Sequence, residues 1–163
     1  MSEALEINGG LIFRRYAIAD ALAVRRLHFS ALEEAGLPVK PGAFDLDIRS
    51  IERTYIEPGG EFLVGLIEND VVAMGGLVRA TKDRGEIKRM RVAAPLQRRG
   101  FGFALLDRLV AHARFLGLHE VVLDTSPLLG AAIALYLKAG FQETGRGVVD
   151  DGVEAIFFAK DLT

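Results

Sequence analysis

The 163-residue sequence predicts one domain of the α/β class over residues 1–163, in which a mixed sheet carries helices on both faces. Three observations support this fold class. Short apolar or alternating segments, typical of strands, recur between segments with apolar residues at helical spacing. A glycine-rich turn joins an alternating strand to a strongly patterned helix. Hydrophobic residues make up 50% of the chain, which is enough for a sizeable core and excludes a disordered protein.

The first half of the chain predicts a strand, two helices and a hairpin. The strand covers Leu11–Ala17, and Asp20 is the expected N-cap of a helix that runs to Gly36. A second helix is expected over residues 43–56. Two apolar runs flank Asn69–Asp70, and this pair predicts a β-hairpin turn because both residue types favour tight turns.

The second half predicts alternating strands and helices. The strand Glu86–Val92 precedes the glycine turn and its helix, and a short buried strand follows at residues 120–125. Ser126 is the expected N-cap of the next helix, with Pro127 in its first turn and Gly140 as its stop. Two final strands complete the order β-α-α-β-β-β-α-β-α-β-β. Its middle β-α-β segment should be a right-handed parallel crossover.

The glycine turn has the composition of an anion site. The first N–H groups of a helix point outward without a partner, and the helix dipole favours a negative charge there. Arg98 and Arg99 add positive charge at the same place, and Gly100 and Gly102 let a diphosphate approach the backbone. On these residues alone, a tight strand-to-helix turn decorated by solvated arginines stays equally open.

Two common phosphate-binding loops fit this turn poorly. A P-loop requires a lysine and a hydroxyl residue after its second glycine, and both are missing here. A dinucleotide fingerprint has a third glycine where this chain has Leu105, although Asp124 follows at a suitable distance for its acidic residue. The long loop before Arg98 also argues against the dinucleotide fingerprint.

Two segments together carry a family pattern. In the first, Gln97-x-x-Gly100-x-Gly102 lies a fixed distance after a strand that ends in valine. In the second, residues 131–141 end in Leu-Tyr-x-x-x-Gly-Phe. They resemble motifs A and B of the GNAT superfamily of N-acetyltransferases, and the hairpin upstream resembles the central hairpin of the GNAT acyl-CoA N-acyltransferase fold. The shared element order covers Leu11–Leu162.

This resemblance implies acetyl-CoA as co-substrate and no metal. The pyrophosphate of CoA would lie on the N–H groups from Arg98 to Phe103, and the Val92 N–H would polarise the acetyl carbonyl. The family often has an asparagine six residues before the motif B tyrosine to hold the pantetheine arm, and Gly130 occupies that position here. The expected cofactor-binding residues are Met90, Arg91, Val92, Gln97, Arg98, Arg99, Gly100, Phe101, Gly102, Phe103 and Ala131.

The resemblance also suggests two catalytic residues, Glu86 as base and Tyr136 as acid toward the leaving sulfur. Glu86 lies six residues before Val92, so the two-residue period of a strand predicts both on one face. Each residue also has a structural interpretation, in which Glu86 pairs with Lys88 or an arginine and Tyr136 only packs. The chain has no cysteine, which favours direct attack over a cysteine-linked acyl-enzyme.

The remaining features define partners only broadly. A net charge of −2 argues against nucleic acid, and the absence of a long apolar run or signal peptide predicts a cytoplasmic protein without membrane contact. The expected acceptor is a small amine or a peptide N-terminus, entering between the first two helices and the loop TGRGVVDDGVE, in which Asp150-Asp151-Gly152 reads as a turn. A homodimer stays open, and the alternative function is a non-catalytic module that binds acyl-CoA.

Overall fold

The computed structural model describes residues 6–7, 10–37, 45–149 and 152–163. Within these residues the chain forms one sheet with helices on both faces, as the sequence predicts. The strands are β1 (Glu6–Ile7), β2 (Leu11–Arg15), β3 (Glu61–Ile67), β4 (Asp70–Arg79), β5 (Arg84–Val92), β6 (Glu120–Thr125), β7 (Gln142–Val149) and β8 (Val153–Asp161). The helices are α1 (Ala21–Glu34), α2 (Leu46–Arg49), α3 (Phe101–Phe115) and α4 (Gly130–Lys138).

The strands are ordered β1-β2-β3-β4-β5-β6-β8-β7 across the sheet. Neighbouring strands run antiparallel except β5 and β6, which are parallel and are connected through α3. The predicted order of elements and the parallel crossover are therefore confirmed, and the two-residue β1 is an addition. No helix in the described ranges is long and apolar enough to cross a bilayer.

Two apolar cores cover opposite faces of the sheet. The α3-side core is built around Leu105, Leu106 and Leu109, which are 0 to 1% exposed, and residues of α4 pack against it. The α1-side core contains Val24 of α1 and Tyr55, both fully buried, together with side chains of β3 and β4. Burial of these apolar side chains on both faces holds the central strands rigidly between the helices.

A β-bulge interrupts β5 in its middle. Met74 of β4 pairs with Arg91, but Gly76 pairs with Lys88, so β5 has one residue more than β4 between these pairs. Arg89 lies in this extra position with a φ of 61°, a value that a non-glycine residue rarely adopts. The bulge therefore inverts the alternation of side chains along the second half of β5.

Because of this inversion, the prediction that Glu86 and Val92 lie on one face of the strand is wrong. Glu86 pairs with Val78, which packs against the α1-side core, whereas Val92 pairs with Ala73 of the α3-side core. Glu86 and Val92 are thus on opposite faces of the sheet, because a two-residue period holds only in a strand without a bulge. Arg91, paired with Met74, shares the face of Glu86 instead.

Of the two predicted helix caps, Ser126 is wrong, and Asp20 is correct in position but makes no capping bond. α4 begins at Gly130, and Ser126 instead closes the preceding turn, where its hydroxyl accepts the Leu128 N–H at 3.1 Å and its carbonyl accepts the Leu129 N–H at 3.0 Å. Asp20 does precede α1 but bonds no N–H of that helix. Its carboxylate accepts the Ala17 N–H and two bonds from Arg14, at 2.7 and 2.8 Å.

The connections also differ in detail from the predictions. The hairpin between β3 and β4 turns at Glu68 and Asn69, whose positive φ values of 50° and 71° are typical of a type I′ turn, rather than at Asn69–Asp70. The predicted second helix is broken at Ser50 into α2 and a π-helical turn, Glu52–Ile56. The predicted turn at Asp150–Asp151 lies outside the described residues.

Candidate functional site

β5 and β6 separate toward their C-terminal ends and leave a cleft in the sheet. They pair only from Arg84–Glu86 of β5 to Glu120–Val122 of β6. Beyond this point the Ala93 N–H still bonds the Val72 carbonyl of β4 at 2.8 Å. Because successive N–H groups of a strand point to opposite edges, the Val92 N–H points away from β4 and into the cleft.

Side chains bond the two carbonyls that face the same cleft. Gln97 donates its amide N–H to the Val92 carbonyl at 3.1 Å, and the Arg91 Nη1 donates to the Met90 carbonyl at 2.9 Å. A strand edge that carries such exposed polar groups can accept an added extended chain. The predicted backbone contacts of Met90 and Val92 are thus directed into an open cleft.

The glycine turn forms the start of α3 below this cleft. Gly100 is the residue before the helix and has a left-handed φ of 83°, and Arg98 is left-handed too, with a φ of 65°. The N–H groups of Phe101, Gly102 and Phe103 have no carbonyl one turn earlier in the helix. Arg98 and Gly100 are exposed, so an anion can reach both the charge and the N–H groups.

A cavity of about 590 Å³ connects the cleft with this turn. Its volume falls in the range typical of small-molecule sites. Arg99 and Phe103 do not line it, and Phe103 lies beneath Lys138, whose Nζ is 5.3 Å from the ring centre. The other predicted cofactor-binding residues all line the cavity, namely Met90, Arg91, Val92, Gln97, Arg98, Gly100, Phe101, Gly102 and Ala131.

Two glycines shape the cavity in different ways. A Cβ at Gly102 would lie 3.3 Å from Leu135 Cδ2 and 3.8 Å from Val92 Cγ2, so the first turn of α3 packs tightly between α4 and β5. A Cβ at Gly130, the first residue of α4, would meet no atom within 4 Å. The position where the family often has asparagine therefore opens into free space.

A second cavity of about 220 Å³ adjoins the first, because both are lined by Met90, Arg91 and Tyr136. The second cavity has several charged residues in its lining. Its charged lining residues are Asp45, Glu86, Lys88, Arg89, Arg91, Asp124 and Glu154.

Tyr136 lies at the junction of the two cavities. Its side chain is 6% exposed, and its ring packs edge-on against Phe141 with centroids 6.0 Å apart. Burial, opposed by the charge of Arg91, raises the pKa of Tyr136 to about 12. The hydroxyl therefore keeps its proton at neutral pH and can donate it in a hydrogen bond.

Glu86 lines the second cavity in a partly buried position. Burial is the main cause that raises the pKa of its carboxyl, while the charge of nearby Lys88 opposes that rise. Glu86 makes no ion pair with any described residue, so the expected structural pairing with Lys88 or an arginine is not present there. A carboxylate with a raised pKa and no partner is a more effective proton acceptor than an ordinary one.

Two clusters of buried polar side chains lie beside this cavity, and no sequence motif predicts either cluster. Arg89 bonds Asp47 of α2 at 2.8 and 2.9 Å, and Tyr55 donates to the same carboxylate at 2.6 Å. His28 of α1 is fully buried, and its Nε2 lies 2.9 Å from Asp45 Oδ1. No motif connects these residues along the chain, because only the packing of α1 and α2 against β5 brings them together.

The comparisons with known proteins agree with this geometry. The acetyltransferase (GNAT) family matches residues 24–141 of the chain. N-acetyltransferase 8F1 of Rattus norvegicus is 37% identical over 108 residues, which are 61% of this chain and 48% of the rat protein. The chain thus spans about half the length of that relative.

Two solved structures share the fold. A GNAT-family acetyltransferase of Staphylococcus aureus Mu50 superposes with a TM-score of 0.86 at 21% identity, covering 94% of this chain and 99% of the other. The yncA protein of Salmonella typhimurium, solved with its cofactor acetyl-CoA, has a TM-score of 0.75 at 20% identity and covers 94% of each chain. With the family match over most of its length, the chain belongs to the GNAT family of acetyltransferases.

Proposed function

We propose that the protein transfers the acetyl group of acetyl-CoA to a primary amine by direct attack in a ternary complex. One observation carries the proposal: the cavity with the anion-binding turn meets the second cavity at Tyr136. A donor and an acceptor bound in these two cavities would meet beside the Val92 N–H. Holding two reactants in this way replaces an encounter in solution.

The first cavity fits the chemistry of acetyl-CoA. Its N–H groups at Phe101–Phe103 and the charge of Arg98 suit a pyrophosphate, and apolar side chains such as Leu96 and Leu135 line the path to the cleft. The co-substrate supplies an acetyl group activated as a thioester. Acetyl-CoA bound to yncA, a protein of the same fold, supports this assignment.

The Val92 N–H would polarise the acetyl carbonyl. It is a fixed backbone donor that points into the cleft, and a donor fixed in advance needs no reorganisation when negative charge develops on the oxygen. The bulge at Arg89 determines which residues of β5 present their N–H groups to the cleft.

Glu86 would receive the proton of the incoming ammonium, directly or through water. Its carboxylate faces the acceptor cavity, and the raised pKa strengthens it as a base. Tyr136 would act on the opposite side of the reaction, as a donor to the leaving sulfur. The absence of cysteine from the sequence removes the usual nucleophile for a thioester-linked acyl-enzyme.

The pKa of Tyr136 distinguishes two ways in which its hydroxyl could act on the leaving sulfur, full proton transfer and a hydrogen bond. A tyrosine with a pKa of about 12 is a weaker acid than an ordinary thiol of pKa about 8.5. Full proton transfer from Tyr136 to the thiolate is therefore unfavourable. A hydrogen bond to the sulfur avoids this cost, so we assign Tyr136 to stabilising the leaving thiolate while it keeps its own proton.

An acceptor screen tests the proposal. Purified protein is incubated with acetyl-CoA and a broad panel of primary amines, and free CoA thiol is measured against the rate without amine. We expect amine-dependent thiol release and an N-acetylated product in mass spectrometry. Binding of acetyl-CoA without release for any amine would favour the non-catalytic module, and the absence of binding would exclude both functions.

A further inference from the structure

Arg91 lies at the junction of the two cavities and has no anionic partner among the residues that the structure describes. Its Nη1 donates to the neighbouring Met90 carbonyl, while its buried Nε has no hydrogen-bond partner. No carboxylate in the described ranges forms an ion pair with it. The buried Nε has therefore lost hydration that no described protein group replaces.

The other buried arginine nearby is fully partnered by the protein. Arg89 has both prongs of its guanidinium on Asp47, which is nine-tenths buried like Arg89 itself. Asp45 lies against His28 at 2.9 Å. The contrast shows that the described residues supply an anion to Arg89 but not to Arg91, so Arg91 is the group that an anion of a bound ligand would meet.

Arg91 is also close to the proposed reaction centre. It precedes Val92 in β5, it lines both cavities, and its charge acts on the Tyr136 hydroxyl strongly enough to oppose the effect of burial on the tyrosine pKa. If the acceptor carries an anionic group that binds Arg91, only a few covalent bonds would therefore separate that group from the acceptor's amine nitrogen. Planar guanidinium groups match carboxylates in a two-pronged geometry.

We infer that the acceptor is an amino acid or a close analogue, whose carboxylate binds Arg91 while its amine faces Tyr136 and the Val92 N–H. This inference rests on the proposed acetyltransferase function. Lys88 lines the same cavity and adds a second positive charge for the carboxylate. Glu86, on the same face of β5, remains available for the ammonium group.

Arg91 and Lys88 disfavour a second positive charge at the place assigned to the carboxylate. A polyamine or an aminoglycoside that put one of its cations there would bring it against these two side chains. Like charges in such contact are strongly unfavourable. An amine with no carboxylate would leave the Arg91 Nε unpaired in the complex, as it is in the free protein.

Matched substrates test the inference without any change to the protein. Phenylalanine, phenylalaninamide and phenethylamine share an amine and a ring but only the first has a carboxylate, and methionine with methioninamide gives a second series. We expect kcat/KM for the amino acid to exceed that for its amide or amine by about 10- to 100-fold, the range for a hydrogen bond to a charged group.

The Arg91→Met variant tests whether Arg91 causes the preference for acceptors that carry a carboxylate. Met keeps much of the apolar volume, and we expect the ratio of kcat/KM for the amino acid to kcat/KM for its amide to fall by about 10- to 100-fold. Arg114→Met, on the exposed side of α3, should behave like the unchanged protein. Circular dichroism and thermal unfolding verify that the Arg91→Met protein is folded.

The outcomes separate the two proposals. Amides or amines acetylated as well as the amino acids would overturn the acceptor class and leave the acetyltransferase function intact. An equal loss of kcat for all acceptors in Arg91→Met would assign Arg91 to the leaving thiolate and would also overturn the inference. Acetyl-CoA binding with no acceptor used at all would overturn both the inference and the proposed function.

Discussion

Arg89 places its guanidinium in two-pronged contact with the Asp47 carboxylate, Nε to Oδ2 at 2.9 Å and Nη2 to Oδ1 at 2.8 Å. The two side chains are only 10% and 11% exposed. Arg89 is the residue with the left-handed backbone in the bulge of β5, so the contact fixes α2 to the point where the strand changes its alternation. An unfavourable φ persists only where such surroundings enforce it.

Asp47→Ala should destabilise the protein, because it leaves a buried guanidinium without its carboxylate. We expect a loss of about 3 kcal/mol in the free energy of unfolding, measured by chemical denaturation. Acetyl transfer should also fall, since the bulge that aims the Val92 N–H loses its anchor. Glu143→Ala removes the exposed partner of Arg146 and should change neither property; an equal effect of both variants would contradict the role of Asp47.

The effect of Asp47 should depend on pH. Burial alone would raise the pKa of this carboxyl, but the hydrogen bonds and charge of Arg89 lower it below the ordinary value of 3.8. A carboxyl with a depressed pKa stabilises the fold above its unfolded-state pKa and loses that contribution as the pH falls through the folded-state value. The stability difference between wild type and Asp47→Ala should therefore persist to about pH 4 and shrink at lower pH.

Glu86→Gln tests the proposed base. Because burial raises the pKa of Glu86, wild-type activity should decline as the pH falls through a value above 4.5, when the carboxylate becomes protonated. The variant should have a kcat lower by about 100-fold, and this acidic limb of the profile should disappear. Initial rates between pH 5 and 9 measure both effects.

Stability provides an independent readout for Glu86. A carboxyl with a raised pKa stabilises the fold below its unfolded-state pKa and loses that contribution as the pH rises through the folded-state value. Wild type should thus lose stability relative to Glu86→Gln above pH 4.5.

Glu120→Gln is the control for the rate measurements. In the wild type the carboxylate of Glu120, at the start of β6, lies 3.5 Å from Arg84. An unchanged rate and profile in Glu86→Gln would remove Glu86 from the mechanism.

Tyr136→Phe should lower kcat by about 10- to 100-fold, because a hydrogen bond to a charged leaving group is lost. The dissociation constant for acetyl-CoA, measured by calorimetry, should stay nearly unchanged, since the ring and its contacts with Phe141 and Phe158 remain. Tyr16→Phe removes a hydroxyl from another buried tyrosine, in the α1-side core, and serves as the matched control. Full activity in Tyr136→Phe would leave this residue a packing role only.

Much of the fold could be predicted from local patterns. The strand alternation, the glycine stops and the motif spacing predict the order of elements and the cavity around Gly100–Gly102, because these signals act over a few residues. The bulge at Arg89 could not be predicted in this way. Arg89 combines a φ of 61° with a contact to Asp47, which lies 42 residues earlier in the chain, and no local residue signals it.

In the candidate site, too, residues with local sequence signals could be predicted and residues that depend on distant contacts could not. Tyr136 and the glycine turn belong to motifs and could be placed from the sequence. The lack of an anionic partner for Arg91 among the described residues could not be predicted, because the environment of Arg91 depends on α1, the cleft beside β6 and the inverted alternation of β5. Ser126 shows that local capping signals also fail when a serine can satisfy a turn in front of the helix as well as the helix itself.

Gly102→Asp should abolish binding of CoA while preserving the fold. A carboxylate in the first turn of α3 is favourable for the helix itself, but it would occupy the place of the pyrophosphate. We expect the dissociation constant for CoA to rise by about 100-fold or more, as for like charges in contact. Gly102→Asn has nearly the same size without the charge, and it isolates the steric effect of the 3.3 Å approach to Leu135. Near-normal affinity in Gly102→Asp would contradict the assigned site.

Gly130→Asn should strengthen acetyl-CoA binding. A side chain at this first residue of α4 would extend into open space beside the cavity, because its Cβ would meet no atom within 4 Å. The family often has an asparagine here for the pantetheine arm, and one added hydrogen bond corresponds to an affinity gain of about 2- to 10-fold. Calorimetric titration with acetyl-CoA measures this gain.

The matched control is Gly145→Asn, since Gly145 of β7 is equally open and does not line either cavity. Both variants place an asparagine in free space, so any general effect of the residue type on folding or solubility is shared. A gain specific to Gly130→Asn would show that the cavity accommodates the pantetheine arm in the orientation common to the family. Equal affinities in wild type and Gly130→Asn would indicate that the arm follows a different path past α4.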